Sequence, residues 1–275
     1  MRNFDRIYAV EISPDIRIDG LRVKFNIKKD VKPDNNYCRL EIYNLSPDTR
    51  RKVTNESDAL VRIQAGYREN VGLVEICQGN ISAVSHAVSR PDVITTIHCK
   101  DGFAATRTNL ISVSYGDGTP LYTIIENLTE ELGLPVRFTA YDRNAILQSG
   151  FSYLGSIRDC LDLLSTQFDF QWSIQDGQLL ILEMDGNTNR QAVLLSPDTG
   201  LIAEPEEVVS ERDLDEPARG EYDVLSLLQP QLNIGDIVVI QSGALNGNFV
   251  VNEINHIGDN RGAEWVSKIR VRQVG

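Results

Sequence analysis

The chain carries little that could do chemistry in a recognisable pattern. Among 275 residues there are three histidines, His86, His98 and His256, and each lies inside or at the end of an alternating strand pattern. None shows H-E-x-x-H or H-x-H spacing, which argues against a zinc hydrolase. The four cysteines, Cys38, Cys77, Cys99 and Cys160, are far apart and form no C-x-x-C pair; only Cys99 has a histidine beside it. They read as buried apolar fillers. No G-x-S-x-G, P-loop or G-x-G-x-x-G occurs where a strand meets a helix. No apolar run approaches the roughly 20 residues that span a bilayer. The opening MRNFDRIYAVEIS lacks the apolar core of a signal peptide, so a chain made and first used in the cytoplasm is expected. Positive charge is also scarce: 27 Lys and Arg against 39 Asp and Glu give a formal charge of −12. A general nucleic-acid-binding surface is therefore disfavoured, because neutralising phosphates needs clustered cations.

What is present belongs to a folded, mostly β protein. Apolar residues make up 41% and charged residues 24%, which sets disorder aside. In Leu21–Lys28 every second residue is apolar, the pattern of a strand with one wet face, and Cys38, Leu40 and Ile42 repeat it. Further runs at Ile7–Ile12, Leu60–Tyr67, Gly72–Val84 and Val93–Cys99 make about six strands, enough for a small sandwich or barrel.

One stretch breaks this texture. After the strand, Ser46-Pro47-Asp48 supplies an N-cap hydroxyl, a proline where its missing N–H is harmless, and an acid at the positive end of the helix dipole. Three bases follow, Arg50, Arg51 and Lys52, and only Val53 could anchor a buried face. A short, largely exposed basic helix is predicted.

From about residue 101 the pattern becomes α/β. A helix opening at Thr119-Pro120 carries Leu121, Ile124, Ile125, Leu128 and Leu132 at helical spacing and stops at Gly133. A second begins at Ser156 with the stripe Ile157, Cys160, Leu161, Leu164 and Phe168, and leads into a hairpin over Phe170–Leu182 turning at Asp176-Gly177. Residues 204–223, EPEEVVSERDLDEPARGEYD, hold nine acids against two arginines and read as a loop. Strand patterns return at Gln229-Pro230, Asn233–Ile240, Asn248–His256 and Glu264–Val274. The order is β, then α/β, then β.

Site-like fragments do not hold together. Asp185-Gly186-Asn187-Thr188-Asn189 imitates half a calcium loop, but Arg190 and Ser196 stand where glycine and glutamate are needed. Glu130-Glu131 falls on the polar side of a helix. Trp172 and Trp265 could stack on sugars, yet both follow strand alternation and read as core. No catalytic, cofactor-binding or metal-binding residue is assigned, and no cofactor is expected.

The series Leu40–Arg50, Val61–Tyr67, Gln78–Ile81 and Asp101-Gly102, then Trp172–Leu179, Ser196–Leu201, Leu227–Pro230 and Gly235-Asp236, resembles bacteriophage tail and baseplate central hub proteins of the late-control protein D type. The resemblance implies a mainly β fold with an α/β insertion: two tube-like β-barrel domains, residues 1–102 and 187–275, flanking a small α/β domain, 103–186. It implies a non-enzymatic homotrimer whose pseudo-six-fold ring joins a tail tube or distal tail protein to a central spike and lines a channel through which DNA passes without specific binding. The expected place is the virion tail tip or baseplate, assembled in the host cytoplasm. The chain stops at Gly275 after its last strand pattern, so a spike or lysozyme is expected as a separate partner. The hub of a DNA-free contractile injection particle fits the same residues; a β-rich cell-wall hydrolase or carbohydrate-binding module fits them less well.

A closed head-to-tail ring needs complementary patches on the two sides of each subunit. On this reading Arg50, Arg51 and Lys52 are expected on one edge, meeting a neighbour's acids, with Glu204, Glu206, Glu207, Glu211 and Asp213 as candidates. The plainer alternative is a solvated basic turn.

Overall fold

The structure is a computed structural model describing residues 5–13, 15–32, 36–56, 58–102, 110–139, 144–208 and 220–274. It is mainly β. The first hundred residues give β1 (Arg6–Ile12), β2 (Ile16–Ile18), β3 (Val23–Asp30), β4 (Tyr37–Tyr43), helix α1 (Pro47–Asn55), β5 (Leu60–Tyr67), β6 (Gly72–Ser89) and β7 (Asp92–Lys100). Alternation places Val23, Phe25 and Ile27 inward, and antiparallel register sets Phe25 opposite Leu40 and Leu40 opposite Ile97. With Val10, Ile12, Val61 and Ile63 they form the first core. One more strand occurs here than the sequence suggested, because β2 is a three-residue edge lying in what reads as turn.

The middle of the chain holds β8 (Leu110–Tyr115), α2 (Leu121–Leu132), β9 (Val136–Phe138), β10 (Phe151–Ser156), α3 (Ile157–Phe168), β11 (Phe170–Gln175) and β12 (Gln178–Glu183). The apolar stripe of α2 is buried as its spacing predicts, and Gly133 ends the helix at φ 66°. Pro120 is the residue before the helix and supplies no side-chain cap. Ser156 caps α3 by accepting from Asp159 N at 3.1 Å. Asp176 and Gly177 both have positive φ, the two-residue turn that matches strand twist. The pairing of β8 with β10 was not read from sequence, because it joins segments on either side of α2 that no local pattern connects.

The remainder forms β13 (Gln191–Leu195), β14 (Glu206–Glu207), β15 (Glu221–Leu227), β16 (Ile237–Gln241), β17 (Asn246–Asp259) and β18 (Trp265–Gln273). Three readings change. Gln229-Pro230 is not strand, Asn233–Asp236 precedes the strand as a turn, and the acidic stretch is not wholly loop. Its Glu206 and Glu207 pair with Asp223 and Tyr222, and β15 then pairs with β18. The acids of β15 disguised the strand: Asp223 faces outward and is bound by both arms of Arg270, at 2.9 and 3.0 Å.

One large sheet runs in the order β14-β15-β18-β17-β3-β4-β7-β6-β5-β1-β2, with β16 joining β13 to β17. It bends back on itself. Arg6 of β1 donates to Gly262 O at 2.7 Å and Ala263 O at 3.1 Å, in the turn between β17 and β18. Leu228 and Trp265 complete the first core although they lie near the end of the chain. The second core lies between α2, α3 and one face of β11 and β12; Leu180 and Leu182, on the other face of β12, join a third core with Val238, Phe249 and Ile269.

The pentapeptide Leu-Ser-Pro-Asp-Thr occurs twice, at 45–49 and 195–199, with different outcomes. After Thr49 come helix-compatible residues and the anchor Val53, and α1 forms. After Thr199 comes Gly200 at φ 115°, and Leu201 N returns to Ser196 O at 2.9 Å, so a single turn results.

Candidate assembly surface

Helix α1 follows its local chemistry. Ser46 Oγ accepts from Thr49 N at 3.1 Å, Pro47 occupies the first turn, and Val53 is the one fully buried residue. Replacing Ser46 with Ala is expected to cost about 1 kcal/mol, read as a lowered unfolding midpoint with the sheet intact. Arg50 is half-buried, whereas Arg51 and Lys52 are exposed. Arg51 is paired with Asp48 one turn earlier. Among the described residues no carboxylate lies within ion-pair distance of Arg50 or Lys52. The helix rests on the β6–β7 hairpin: Thr54 Oγ1 donates to Arg50 O at 2.8 Å and lies 2.9 Å from His86 Nε2.

The acidic candidates sit elsewhere. Both oxygens of Glu204 accept from a turn, from Gly243 N at 3.3 Å and Ala244 N at 3.1 Å. A hydrogen bond from Ser242, then those two N–H groups, hold its carboxyl below the usual range. Glu206 and Glu207 are exposed on β14, the terminal strand of the large sheet, beside a groove of about 340 Å³ also lined by Asp223, Glu253 and Lys268. Glu211 and Asp213 lie outside the described residues. Among the described residues the basic set and Glu204, Glu206 and Glu207 are not brought together within one chain: β15, β18, β17, β3, β4 and β7 separate β14 from β6 in the sheet.

A buried charged cluster had no signature in the sequence. Lys29 is buried and paired with Asp176 in the β11–β12 turn. Burial pulls its ammonium pKa down, but Asp176 outweighs that and the net shift is upward. Asp101 accepts from Asp176 N and from Gly177 N at 3.0 Å; burial, reinforced by Asp176, pushes its carboxyl up to about 7. Asn36 Nδ2 donates to Ile174 O at 2.6 Å and Gln175 Nε2 to Asp30 O at 2.8 Å, so the hairpin turn is bound to the first sheet on several sides.

The residues with most chemical potential are enclosed. His256 is buried, its Nδ1 2.8 Å from Ser267 Oγ, and burial with the nearby Lys29 charge pushes its pKa down to about 3. It stays neutral at any physiological pH. All four cysteines are buried free thiols. Both tryptophans are core residues: Trp172 Nε1 donates to Asp162 Oδ1 at 2.9 Å, and Trp265 meets Phe25 edge-on at 5.2 Å. Residues 185–189 form a turn in which Asn189 N donates to Asn187 Oδ1 at 2.8 Å. Among the described residues no group of three metal-ligating side chains is placed to hold an ion. The exposed features of note are thus surfaces.

The fold is similar to the 43 kDa tail protein of prophage MuSo2 from Shewanella oneidensis, with a TM-score of 0.71 and 11% identity over 98% of this chain and 97% of that one. It is similar to a tail protein from Neisseria meningitidis MC58, with a TM-score of 0.71 and 10% identity over 98% and 97%. It is also similar to the E. coli c3393 protein, described as a component of the type VI secretion system with structural similarity to the T4 bacteriophage tail proteins gp27 and gp5; there the TM-score is 0.63 and identity 10% over 96% and 76%. At such identities the likeness concerns the fold. A comparison with curated proteins returns no match. A family model described as baseplate hub gp41 matches residues 9–271, nearly the whole chain, and on that match this chain belongs to the baseplate hub gp41 family.

Proposed function

We propose that the protein is a structural hub of a phage baseplate with no reaction of its own. Three copies close head-to-tail into a ring, each contributing two tube-like β-barrels, residues 1–102 and 187–275, with 103–186 between them. Six similar units then face a tail tube or distal tail protein, while three-fold symmetry faces a central spike. The observation that carries this reading is the family match over residues 9–271. The basic surface of α1 and the distant acids of β14 support the head-to-tail closure, because a ring needs its complementary patches apart on one subunit. Three copies carry about three times the formal −12, and a wall of that sign lets DNA slide through the channel without adhering. The protein acts in the virion after assembly in the host cytoplasm. The likeness to the c3393 protein supports a second reading, the hub of a contractile injection particle that carries no DNA.

Exposed ion pairs contribute about 0–1 kcal/mol each, so the charges set register and partner choice more than affinity. Changing Arg50, Arg51 and Lys52 together to Glu is expected to abolish the trimer in native mass spectrometry at low salt while leaving the chain folded. Unchanged trimer would remove these residues from the contact.

A further inference from the structure

The β6–β7 hairpin outruns the sheet that supports it. β5 accompanies β6 as far as Leu60 opposite Asn80, and beyond it β6 continues to Ser89 with only β7 beside it. Among the described residues no strand pairs with the other side of residues 82–89. That side is a strand edge with free backbone donors and acceptors.

Native sheets blunt such edges with charge, proline or brevity. This molecule does so elsewhere: β2 is three residues long with Arg17 at its centre, and β14 is two glutamates. Residues 82–89, Ser-Ala-Val-Ser-His-Ala-Val-Ser, contain no charged residue and no proline, and Val88 is 73% exposed. An edge of this length and composition is built to be covered.

The flanks indicate what covers it. α1 carries the chain from β4 on one side of β7 and β6 to β5 on the other, so it crosses the face of this hairpin. Thr54 meets His86, and Asn44 Nδ2 donates to Asp92 Oδ1 at 2.8 Å. Arg50, one turn before Thr54, is on the side of α1 that meets this hairpin, whereas Lys52 lines a pocket with Arg17 and Asp19 of the β2 edge; Arg90 follows the neutral stretch at its tip. The matching strand is acidic, and among the described residues no strand pairs with its other side. β14 ends the large sheet, with Glu204, Glu206 and Glu207 in and next to it.

We propose that residues 204–208 of a second copy add to the 82–89 edge of β6 as a strand, continuing the sheet from one subunit into the next. The inference rests on the head-to-tail ring proposed above and names its contact. Backbone pairing holds the strands, and charge selects the partner. Two β6 edges meeting each other would bring their basic flanks together, whereas β6 with β14 joins opposite signs.

The test uses the full chain with cysteines at Ser85 and Glu206, both exposed, while the four native thiols are buried. Under diamide, the S85C/E206C double variant is expected to give SDS-resistant dimers and trimers, and each single variant only monomers. A separate V88E variant, which sets a like charge against the acids of β14, is expected to lower the assembled fraction at least tenfold in native mass spectrometry with an unchanged unfolding midpoint. If the wild type assembles but the double variant does not cross-link, or the singles cross-link equally well, or V88E assembles normally, the edge contact is overturned and the ring reading stands. A wild type that stays monomeric at every concentration overturns both.

Discussion

Trp265→Ala is expected to destabilise the first core by about 3–5 kcal/mol, the range for removing a fully buried large aromatic. The reason lies in three strands side by side. Phe25 of β3 is opposite Gly258 of β17, and Gly258 is opposite Trp265 of β18. Because Gly258 has no side chain, the Phe25 ring lies over it; a Cβ there would stand 2.2 Å from Phe25 Cζ. Phe25 then reaches the indole across the glycine, and the Arg6 guanidinium lies 5.7 Å from the centre of the same ring. The indole N–H has no hydrogen-bond partner among the described residues, so packing carries the effect. Trp265→Phe keeps an aromatic ring against Phe25 and should therefore recover part of the loss. Chemical denaturation of both variants checks the pair; equal losses would show that ring size is not what matters.

The second large effect is expected at Lys29. Changing it to Met removes the cation facing Asp176, Asp101 and the half-buried Glu75, and breaking such a buried pair costs about 3–5 kcal/mol. The pH dependence has a definite sign. Asp101 holds its proton up to about 7 in the folded chain but only to about 3.9 when unfolded, so between those values the folded state binds more protons. Its contribution to stability is then fully present at low pH and is lost as pH rises toward 7. Of its neighbours, the Cys77 thiol is lowered by its hydrogen bond with Cys38 but raised more by burial together with Cys99 and Asp176, and His256 stays neutral, so neither thiol nor imidazole changes charge over this range. Urea midpoints between pH 5 and 8 should fall in wild type, fall more steeply in Lys29→Met, and lose most of the slope in Asp101→Asn.

Local rules fixed much of this fold in advance. Leu60–Tyr67 alternates cleanly and is a strand over just those residues, and the cap before α1 and the Asp176-Gly177 turn hold where they were read. What escaped depends on partners distant in sequence. Lys29 lies just past the strand pattern read over Leu21–Lys28, and only Asp176, 147 residues later, makes its burial tolerable. β15 looks like loop until Arg270 and Arg272 are set opposite its acids. The two copies of Leu-Ser-Pro-Asp-Thr show the limit of a short motif, since the residue that follows it decides between helix and turn. The basic run and Glu206 and Glu207 could be named from sequence, but the bare edge of β6 could not, because its exposure depends on where β5 stops.

The position of Trp265 in the first core also governs when that core can form. Phe25 leaves the ribosome 240 residues before its partner ring, an interval of about 12–48 s at 5–20 residues per second. Throughout that time the early strands must wait with an incomplete interior, so the last strand acts as a completion signal. A copy that is still being translated, or that stops short of β18, lacks a finished first core.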